Sequence, residues 1–187
     1  MHQEVADLVR LAQAGNLNAF SSLYEYYFNR VYRYMIARVA DTAEAEDLTQ
    51  ELFIKVMTSL KNFRFKGPPF DAWIFTIARN LVIDRIRRNS ISRGKVPLGE
   101  IMELNGKQNV ERDSLLNLDH QEVTKAMGSS LTTLQREVLL LRFIGELSIS
   151  ETAAAMSKNE NAVKALQRSA LGALRRVLGN RLKEVRT

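Results

Sequence analysis

Catalytic chemistry needs side chains that titrate, attack or hold a metal, and this sequence offers few of them in a useful arrangement. Its two histidines, His2 and His120, lie in unrelated segments, and the chain has no cysteine. Disulfides and thiolate metal sites are therefore excluded. Neither a glycine-rich phosphate loop nor a nucleophile paired with a base occurs. The sequence predicts a protein that is not an enzyme and that binds no cofactor.

One acidic cluster does have metal-ligand residue types. Glu44, Asp47 and Glu51 are spaced i, i+3, i+7, so they share one face of a helix. Their carboxylates could hold Mg²⁺, but no fourth oxygen ligand or substrate motif accompanies them. A solvated or protein-binding acidic face is the better interpretation, and no metal is expected.

Nucleic-acid recognition is the chemistry that the C-terminal stretch supports. SISETAAAMSKNENAVKALQRSALGALRR, from Ser148 to Arg176, predicts a short helix, a polar turn and a longer basic helix that begins near Asn159 or Glu160. Arg and Lys pair with guanine, and Asn and Gln with adenine, in the major groove. The groove-facing residues of the long helix would be Glu160, Asn161, Lys164, Ala165, Gln167 and Arg168. Arg175 and Arg176 lie farther along and are better placed for phosphates.

The turn of this motif departs from the usual pattern, because Ser157 occupies the position where glycine is common. A strained turn in a non-glycine residue is therefore expected. The pattern also leaves open a plain helical hairpin with a solvated basic face.

A second basic surface lies upstream. The loop before the helix PFDAWIFTIARNLVIDRIRR alternates aromatic and cationic residues, namely Phe63, Arg64, Phe65, Lys66 and Phe70. The polar side of the helix carries Arg79, Asn80, Asp84, Arg87 and Arg88. Rings that contact the face of an unstacked base, with cations for the flanking phosphates, are typical of single-strand binding. The alternative is that these aromatics only close the base of the domain.

The charge of the chain is segregated. Its 27 basic and 21 acidic residues give a net charge of +6. Residues 61–95 carry nine bases and two acids, and residues 158–187 carry eight bases and two acids. An acidic block at residues 41–51 and another at 98–122 alternate with them. Two separate polyanion-binding surfaces are indicated, since a general solubility charge would be interspersed.

The elements that position these residues are helices. Apolar residues recur at helical spacing, strand-like alternation is absent, and capping residues precede helices at Asp41, Thr132 and Ser148. The predicted fold class is all-α, with two small helical domains joined by a flexible linker, the C-terminal one a helix-turn-helix. The predicted domains are residues 1–90 and residues 110–187, and the predicted linker is residues 91–109. The sequence shows no signal peptide and no run of apolar residues long enough to span a membrane, so a cytoplasmic protein is expected.

Three segments together resemble one family, the extracytoplasmic-function (ECF) group of bacterial RNA polymerase sigma factors of the sigma-70 family. EAEDLTQELFIKVMTSL is similar to its polymerase-binding segment, and FDAWIFTIARNLVIDRIRR to its promoter-melting and −10 recognition helix. LTTLQREVLLLRFIGELSISETAAAMSKNENAVKALQRSALGALRR is similar to its −35-reading domain. The order and spacing of the three make the resemblance specific.

The resemblance implies a sigma factor that directs promoter-specific transcription initiation. Such a factor recognises the −35 element of the promoter as double-stranded DNA and the −10 element as single-stranded DNA. Residues 1–90 would be the region 2-like domain and 110–187 the region 4-like domain. Core-binding residues would be Asp47, Gln50, Glu51, Phe53 and Met57. The loop and helix residues named above would contact the −10 strand, with Asn80 at the base pocket. Implied partners are promoter DNA, the clamp of the beta-prime subunit, the flap of the beta subunit and an anti-sigma factor.

Other classes of protein would share some of these features. A two-domain helix-turn-helix regulator would act without being a polymerase subunit, but it leaves the acidic segment and the loop aromatics unexplained. A metal-dependent nucleic-acid enzyme would use Glu44, Asp47 and Glu51. An interaction adaptor without DNA affinity conflicts with the charge blocks.

Overall fold

The chain folds into helices packed in two units. The computed structural model describes residues 2–39, 41–92 and 130–184. The helices are α1 His2–Gln13, α2 Leu17–Val39, α3 Thr42–Ser59, α4 Phe70–Ser92, α5 Thr133–Leu139, α6 Ile149–Ala155 and α7 Glu160–Glu184. A 3₁₀ turn, Leu60–Asn62, follows α3, and a π-helical turn, Leu140–Ile144, follows α5. No strand occurs in the described ranges, and the all-α prediction is confirmed.

Capping fixes the helix starts as the sequence predicts. The Asp41 carboxylate accepts a hydrogen bond from the Glu44 backbone N–H at 2.8 Å and caps α3. Capping boxes form at Thr132 with Gln135 and at Ser148 with Glu151. Each box satisfies backbone donors that a helix N-terminus leaves unpaired. These local signals therefore set the positions of α3, α5 and α6.

The predicted linker falls almost entirely outside the described residues, which stop at Ser92 and resume at Ser130. The sequence predicts that the helix that begins near Phe70 ends near Asn89, and α4 instead runs three residues farther, to Ser92. The predicted extent of the linker, residues 91–109, and the predicted start of the second domain at residue 110 remain predictions.

The N-terminal unit, α1 to α4, has a core in which α2 is central. The sequence predicts one stripe of core residues at helical spacing along it, namely Phe20, Tyr24, Tyr27, Phe28, Val31 and Met35. Of these, Tyr27, Val31 and Met35 are fully buried. Tyr24, which the same stripe places in the core, is 40% exposed, so that assignment is wrong. Tyr34 is fully buried although it lies off the predicted stripe. Its position follows from a second contact that α2 makes, with the C-terminal unit.

The C-terminal unit, Ser130 to Glu184, packs against the N-terminal unit through α6 on α4 and through the Leu140–Ile144 turn on α2. Buried residues of both units form one continuous apolar cluster. The C-terminal unit contributes Val138, Leu140, Leu141, Leu147, Ala153, Ala155, Met156 and Val163 to it. A smaller cluster of Leu131, Leu139, Ala170 and Leu174 joins α5 to the second half of α7.

Among the described residues, no helix has both the length and the apolar character needed to cross a membrane.

Candidate nucleic-acid interfaces

The helix-turn-helix forms from α6 and α7 as the sequence predicts. Ala153 of α6, Met156 directly after its end and Val163 of α7 are buried where the helices meet. The Asn159 side chain accepts a hydrogen bond at 2.8 Å from the Ala162 backbone N–H, which caps the start of α7. Ser157 in the turn has φ of 52°, so the strained non-glycine turn is confirmed.

Replacement of Ser157 by glycine is expected to stabilise the chain. A left-handed backbone costs a non-glycine residue about 1–2 kcal/mol, and the added chain entropy of glycine takes back about 0.5–1 kcal/mol. The net gain should be up to about 1.5 kcal/mol in the free energy of unfolding, measured by urea denaturation. The control is Ser150→Gly, an exposed helical serine in α6, which should destabilise. Equal destabilisation by both variants would contradict the prediction.

The outer face of α7 presents its polar residues to solvent. Exposed side chains there are Glu160, Asn161, Lys164, Ala165, Arg168, Arg175 and Arg176. Lys164 Nζ lies 3.4 Å from Glu160 Oε2, an exposed pair that is worth little and easily exchanged for a DNA contact. Gln167 is half-buried, and its side-chain oxygen accepts a hydrogen bond from Arg142 Nε at 3.0 Å. In this conformation Gln167 therefore holds Arg142 and not a base.

The loop between α3 and α4 divides its aromatics between two roles. Phe63 and Phe70 are buried, whereas Phe65 is 43% exposed. They border a cavity of 280 Å³, close to the lower end of small-molecule pockets at about 300 Å³. Its lining residues are Val5, Ala6, Phe63, Phe65, Pro68, Pro69, Phe70, Asp71 and Glu151. The same rings therefore close the core and line a cavity, and binding of a base there remains a prediction.

Helix α1 holds this loop in place, a role that sequence analysis missed. The Gln13 side-chain amide donates to the carbonyls of Leu60 at 2.9 Å and Phe63 at 3.0 Å. The Arg10 guanidinium lies 4.8 Å from the centre of the Phe65 ring. No motif marks these residues, because the contacts span about 50 positions of sequence.

A buried carboxylate forms one wall of the cavity. Asp71 is 7% exposed and accepts a hydrogen bond from the Tyr27 hydroxyl at 3.0 Å. Arg30 Nη2 lies 2.9 Å from its other oxygen. Burial, followed by the Asp71 charge, raises the pKa of Tyr27 far above its usual value, so the phenol remains a neutral donor. The group keeps the wall polar and fixed in orientation.

The polar residues of α4 lie on two different faces. Asn80 is exposed, as are Asp84, Arg87 and Arg88. Arg87 Nη1 lies 3.8 Å from Asp84 Oδ1 across one helical turn. Arg79 is only half-exposed, and its Nε is buried without a hydrogen-bond partner in the described chain. Of the predicted polar −10 residues on α4, Arg79 alone is not exposed.

The acidic face of α3 is largely solvent-exposed. Asp47 and Gln50 are exposed, Glu51 pairs with Lys55 at 3.1 Å, and Met57 is 53% exposed. Phe53 is buried, with its ring centre 4.5 Å from that of Tyr24, so it supports this face from below. Ile54, at 59% exposure, is the apolar side chain that the sequence analysis overlooked there.

Glu44 does not join this face as a metal ligand would. Its carboxylate accepts from Arg85 at 3.4 Å and Asn89 at 3.1 Å, which ties α3 to the end of α4. Among the residues that the structure describes, no group of three acidic or histidine side chains could hold a metal ion.

The chain was compared with known protein families. The model of sigma-70 region 2 matches residues 23–91, and that of sigma-70 region 4 matches residues 129–176. The ECF RNA polymerase sigma factor BldN of Streptomyces coelicolor is 42% identical over 92% of this chain, and the match spans 65% of BldN. The ECF RNA polymerase sigma factor SigX of Bacillus subtilis is 31% identical over 84% of this chain and 82% of SigX.

Two solved structures share the fold. CnrH, in complex with the cytosolic domain of CnrY, has a TM-score of 0.70 at 23% identity and covers 95% of this chain and 98% of CnrH. The sigma factor RpoE of Bartonella quintana, in complex with the anti-sigma factor NepR, has a TM-score of 0.68 at 22% identity and covers 86% of this chain and 96% of RpoE.

Proposed function

Because the chain belongs to the ECF group of the sigma-70 family of RNA polymerase sigma factors, we propose that it binds core RNA polymerase and directs promoter-specific transcription initiation. The observation that carries this proposal is the presence of three distinct surfaces on one chain. They are the exposed face of α7, the loop cavity with Asn80 on α4, and the acidic face of α3.

The two DNA surfaces differ in a way that suits two forms of DNA. An exposed polar and basic helix suits the major groove of a −35 duplex. A cavity bordered by aromatic rings, with Arg64 and Lys66 exposed beside it, suits one unpaired base of a −10 strand and its flanking phosphates. A regulator with a helix-turn-helix alone would use the first surface and have no use for the second.

The third surface suits a protein. Exposed Asp47 and Gln50 around exposed Ile54 and Met57 form a mixed polar and apolar patch of the kind found at protein interfaces. We assign this patch to the clamp of the beta-prime subunit and place the beta flap on the C-terminal unit. The RpoE relative is bound to an anti-sigma factor, and an anti-sigma factor is proposed here as a further cytoplasmic partner. The proposed role is that of a specificity subunit without catalysis of its own.

Run-off transcription tests this function. Core polymerase is mixed with this protein and a promoter library, and transcripts that start at a fixed distance from an enriched sequence are expected. Core polymerase alone is the control. If the protein alone shifts promoter DNA in a gel but its mixture with core polymerase makes no transcripts, the result would favour the separate helix-turn-helix regulator.

Mutations on α7 should distinguish the residues that contact bases from those that contact phosphates. Replacement of Lys164 or Arg168 by alanine should relax specificity at one −35 position by about 1–3 kcal/mol, because each can pair with a base edge. Alanine at Arg175 or Arg176 should weaken all sequences alike and flatten the salt dependence, because those residues face phosphates. Selection of promoters with each variant measures both effects. A uniform loss in all four variants would mean that α7 reads no base.

A further inference from the structure

Helix α1 presents a second face besides the one that it buries in the core. Val5 and Val9 lie in the core, at 6% and 0% exposure. Ala6, Arg10 and Gln13 are spaced i, i+4, i+7, so they share a neighbouring face of the same helix. Each of these three contacts the loop between α3 and α4 or lines its cavity. One face of α1 therefore lies against the loop of the proposed −10 surface.

Gln13 holds the backbone of this loop at two points. Its Nε2 group donates to the carbonyls of Leu60 at 2.9 Å and of Phe63 at 3.0 Å, which uses both of its hydrogens. The Phe63 N–H donates in turn to the Leu60 carbonyl at 3.0 Å and closes the turn between them. A shift of Phe63 would therefore break its bond to α1 as well as the turn. Gln13 thus fixes the loop at its first aromatic residue.

The Phe65 ring has two supports. Its centre lies 5.2 Å from that of Phe63, edge to face, and 4.8 Å from the Arg10 guanidinium. Phe63 is itself held, because its ring packs on Phe70 and Trp73 with both centres at 5.3 Å. The first support therefore comes from the core and the second from α1. Since Phe65 is 43% exposed and lines the cavity, Arg10 fixes a ring that an entering base would meet.

The size of the cavity depends on α1 as well. Val5 and Ala6 are part of its lining. Ala6 is half-buried, and its side chain is a single methyl group. A longer side chain at this position would occupy part of the 280 Å³ that the cavity offers. The wall that α1 supplies therefore limits how large a base the cavity holds.

A loop that is held in place before DNA arrives favours the base that fits it. Ordering a loop at the moment of binding costs free energy, and contacts that order it beforehand remove that cost. The gain goes to the base that matches the held shape, whereas a base that does not match must distort the loop. The contacts of α1 with the loop therefore bear on specificity as well as on affinity.

We propose that α1 sets the base preference of the −10 cavity, with Gln13 and Arg10 as positioning residues and Ala6 as the limit on the size of the base. The preference rests on the proposed function, whereas the hold of α1 on the loop does not. The two parts are therefore tested separately.

Hydrogen exchange of the full-length protein tests the hold of α1 on the loop without polymerase or DNA. The Phe63 amide is the reporter, because its hydrogen bond to the Leu60 carbonyl closes the turn that Gln13 braces. Gln13→Met keeps the length of the side chain and removes its donors. It should lower the protection of the Phe63 amide by about 10-fold, through the loss of two neutral hydrogen bonds.

The matched control is Gln3→Met, the same change at an exposed position of α1, which should leave the protection of the Phe63 amide unchanged. Amides in the middle of α2 should keep their protection in both variants, which shows that the fold is intact. Equal protection of the Phe63 amide in wild-type protein and in Gln13→Met would overturn the proposal.

Selection of promoters by the reconstituted holoenzyme tests the preference. The library is randomised at both elements, and Phe65→Leu identifies the −10 position that the cavity reads. Gln13→Met should lower the preference at that same position by about 10-fold and leave the −35 preferences as in wild type. A uniform loss at all positions would mean that Gln13 only stabilises the fold, and it would overturn the proposal. If the wild-type holoenzyme selects no promoter, the proposed function and the preference both fail, while hydrogen exchange still decides the hold on the loop.

Arg10→Met tests the support of the Phe65 ring. An exposed contact between a cation and a ring is weak, so the preference at the same position should fall by about 2- to 5-fold. Combined with Phe65→Leu, Arg10→Met should have no further effect, because the ring that it supports is already gone. An additive loss with a flatter salt dependence would mean that Arg10 binds a phosphate directly, which would overturn its role as a positioning residue.

Ala6→Leu tests the limit on size. The larger side chain should lower the ratio of purine to pyrimidine at the same position by about 10-fold, because a filled cavity resists further volume. Ala43→Leu, the same change at an exposed position of α3, is the control and should leave the ratio unchanged. An unchanged ratio in a folded Ala6→Leu variant would overturn the role of Ala6.

Discussion

Alanine in place of both Asp47 and Gln50 should weaken binding to core RNA polymerase by roughly 30-fold or more while the chain stays folded. Both side chains are exposed on α3, so their loss leaves the core of the N-terminal unit intact. Loss of a polar partner at a protein interface commonly costs about 1–3 kcal/mol, and two such losses give about 2–6 kcal/mol. Competition with a labelled sigma factor for core polymerase measures the change.

The chain offers a matched control for this double variant. Gln3 and Asp7 are the same residue types on α1, also exposed, with their side chains 3.3 Å apart. Gln3→Ala combined with Asp7→Ala should leave core binding at the wild-type level. Unchanged binding by a folded Asp47 and Gln50 variant would remove α3 as the clamp-binding helix.

Asn80→Ala should impair open-complex formation and blur the preference at a single −10 position, with core binding unchanged. Extrusion of one base costs a few kcal/mol of stacking and pairing, which the protein must recover through ring contacts and hydrogen bonds. The Asn80 amide offers both a donor and an acceptor to a base edge, and it is exposed on α4. Permanganate footprinting measures melting, and promoter selection measures the preference.

A premelted promoter separates the two effects of Asn80→Ala. It should restore much of the melting while the preference at that position stays blurred, because the melted DNA no longer has to be opened but still has to be read. Asn29→Ala, at an exposed position of α2, is the control and should behave as wild type. Normal melting and selection by Asn80→Ala would place the base pocket elsewhere.

Sequence was a good guide wherever the controlling interactions are local. The Thr132 and Ser148 capping boxes, the left-handed Ser157 and the start of α7 all depend on groups within four residues of one another. Short-range hydrogen bonding and backbone sterics leave few alternatives at such positions. The helix-turn-helix was predictable for the same reason.

Sequence was a poor guide where a helix contacts two neighbours. Helical spacing identifies one apolar face but not a second, so it missed the buried Tyr34 and counted Arg79 as freely available. The family resemblance likewise assigned Phe53 to the core-binding face, where Ile54 is the exposed side chain. The roles of Arg10 and Gln13 depend on contacts with a loop about 50 residues away. Tertiary packing decides such positions, and no periodicity encodes it.

Because the two helical units that share one apolar cluster belong to a single chain, the contact between them does not depend on how many copies a cell contains. A contact between separate chains follows mass action and weakens on dilution. A tethered contact has a fixed effective concentration and does not weaken in this way. The shared cluster should therefore persist in a dilute solution of this protein as fully as in a concentrated one.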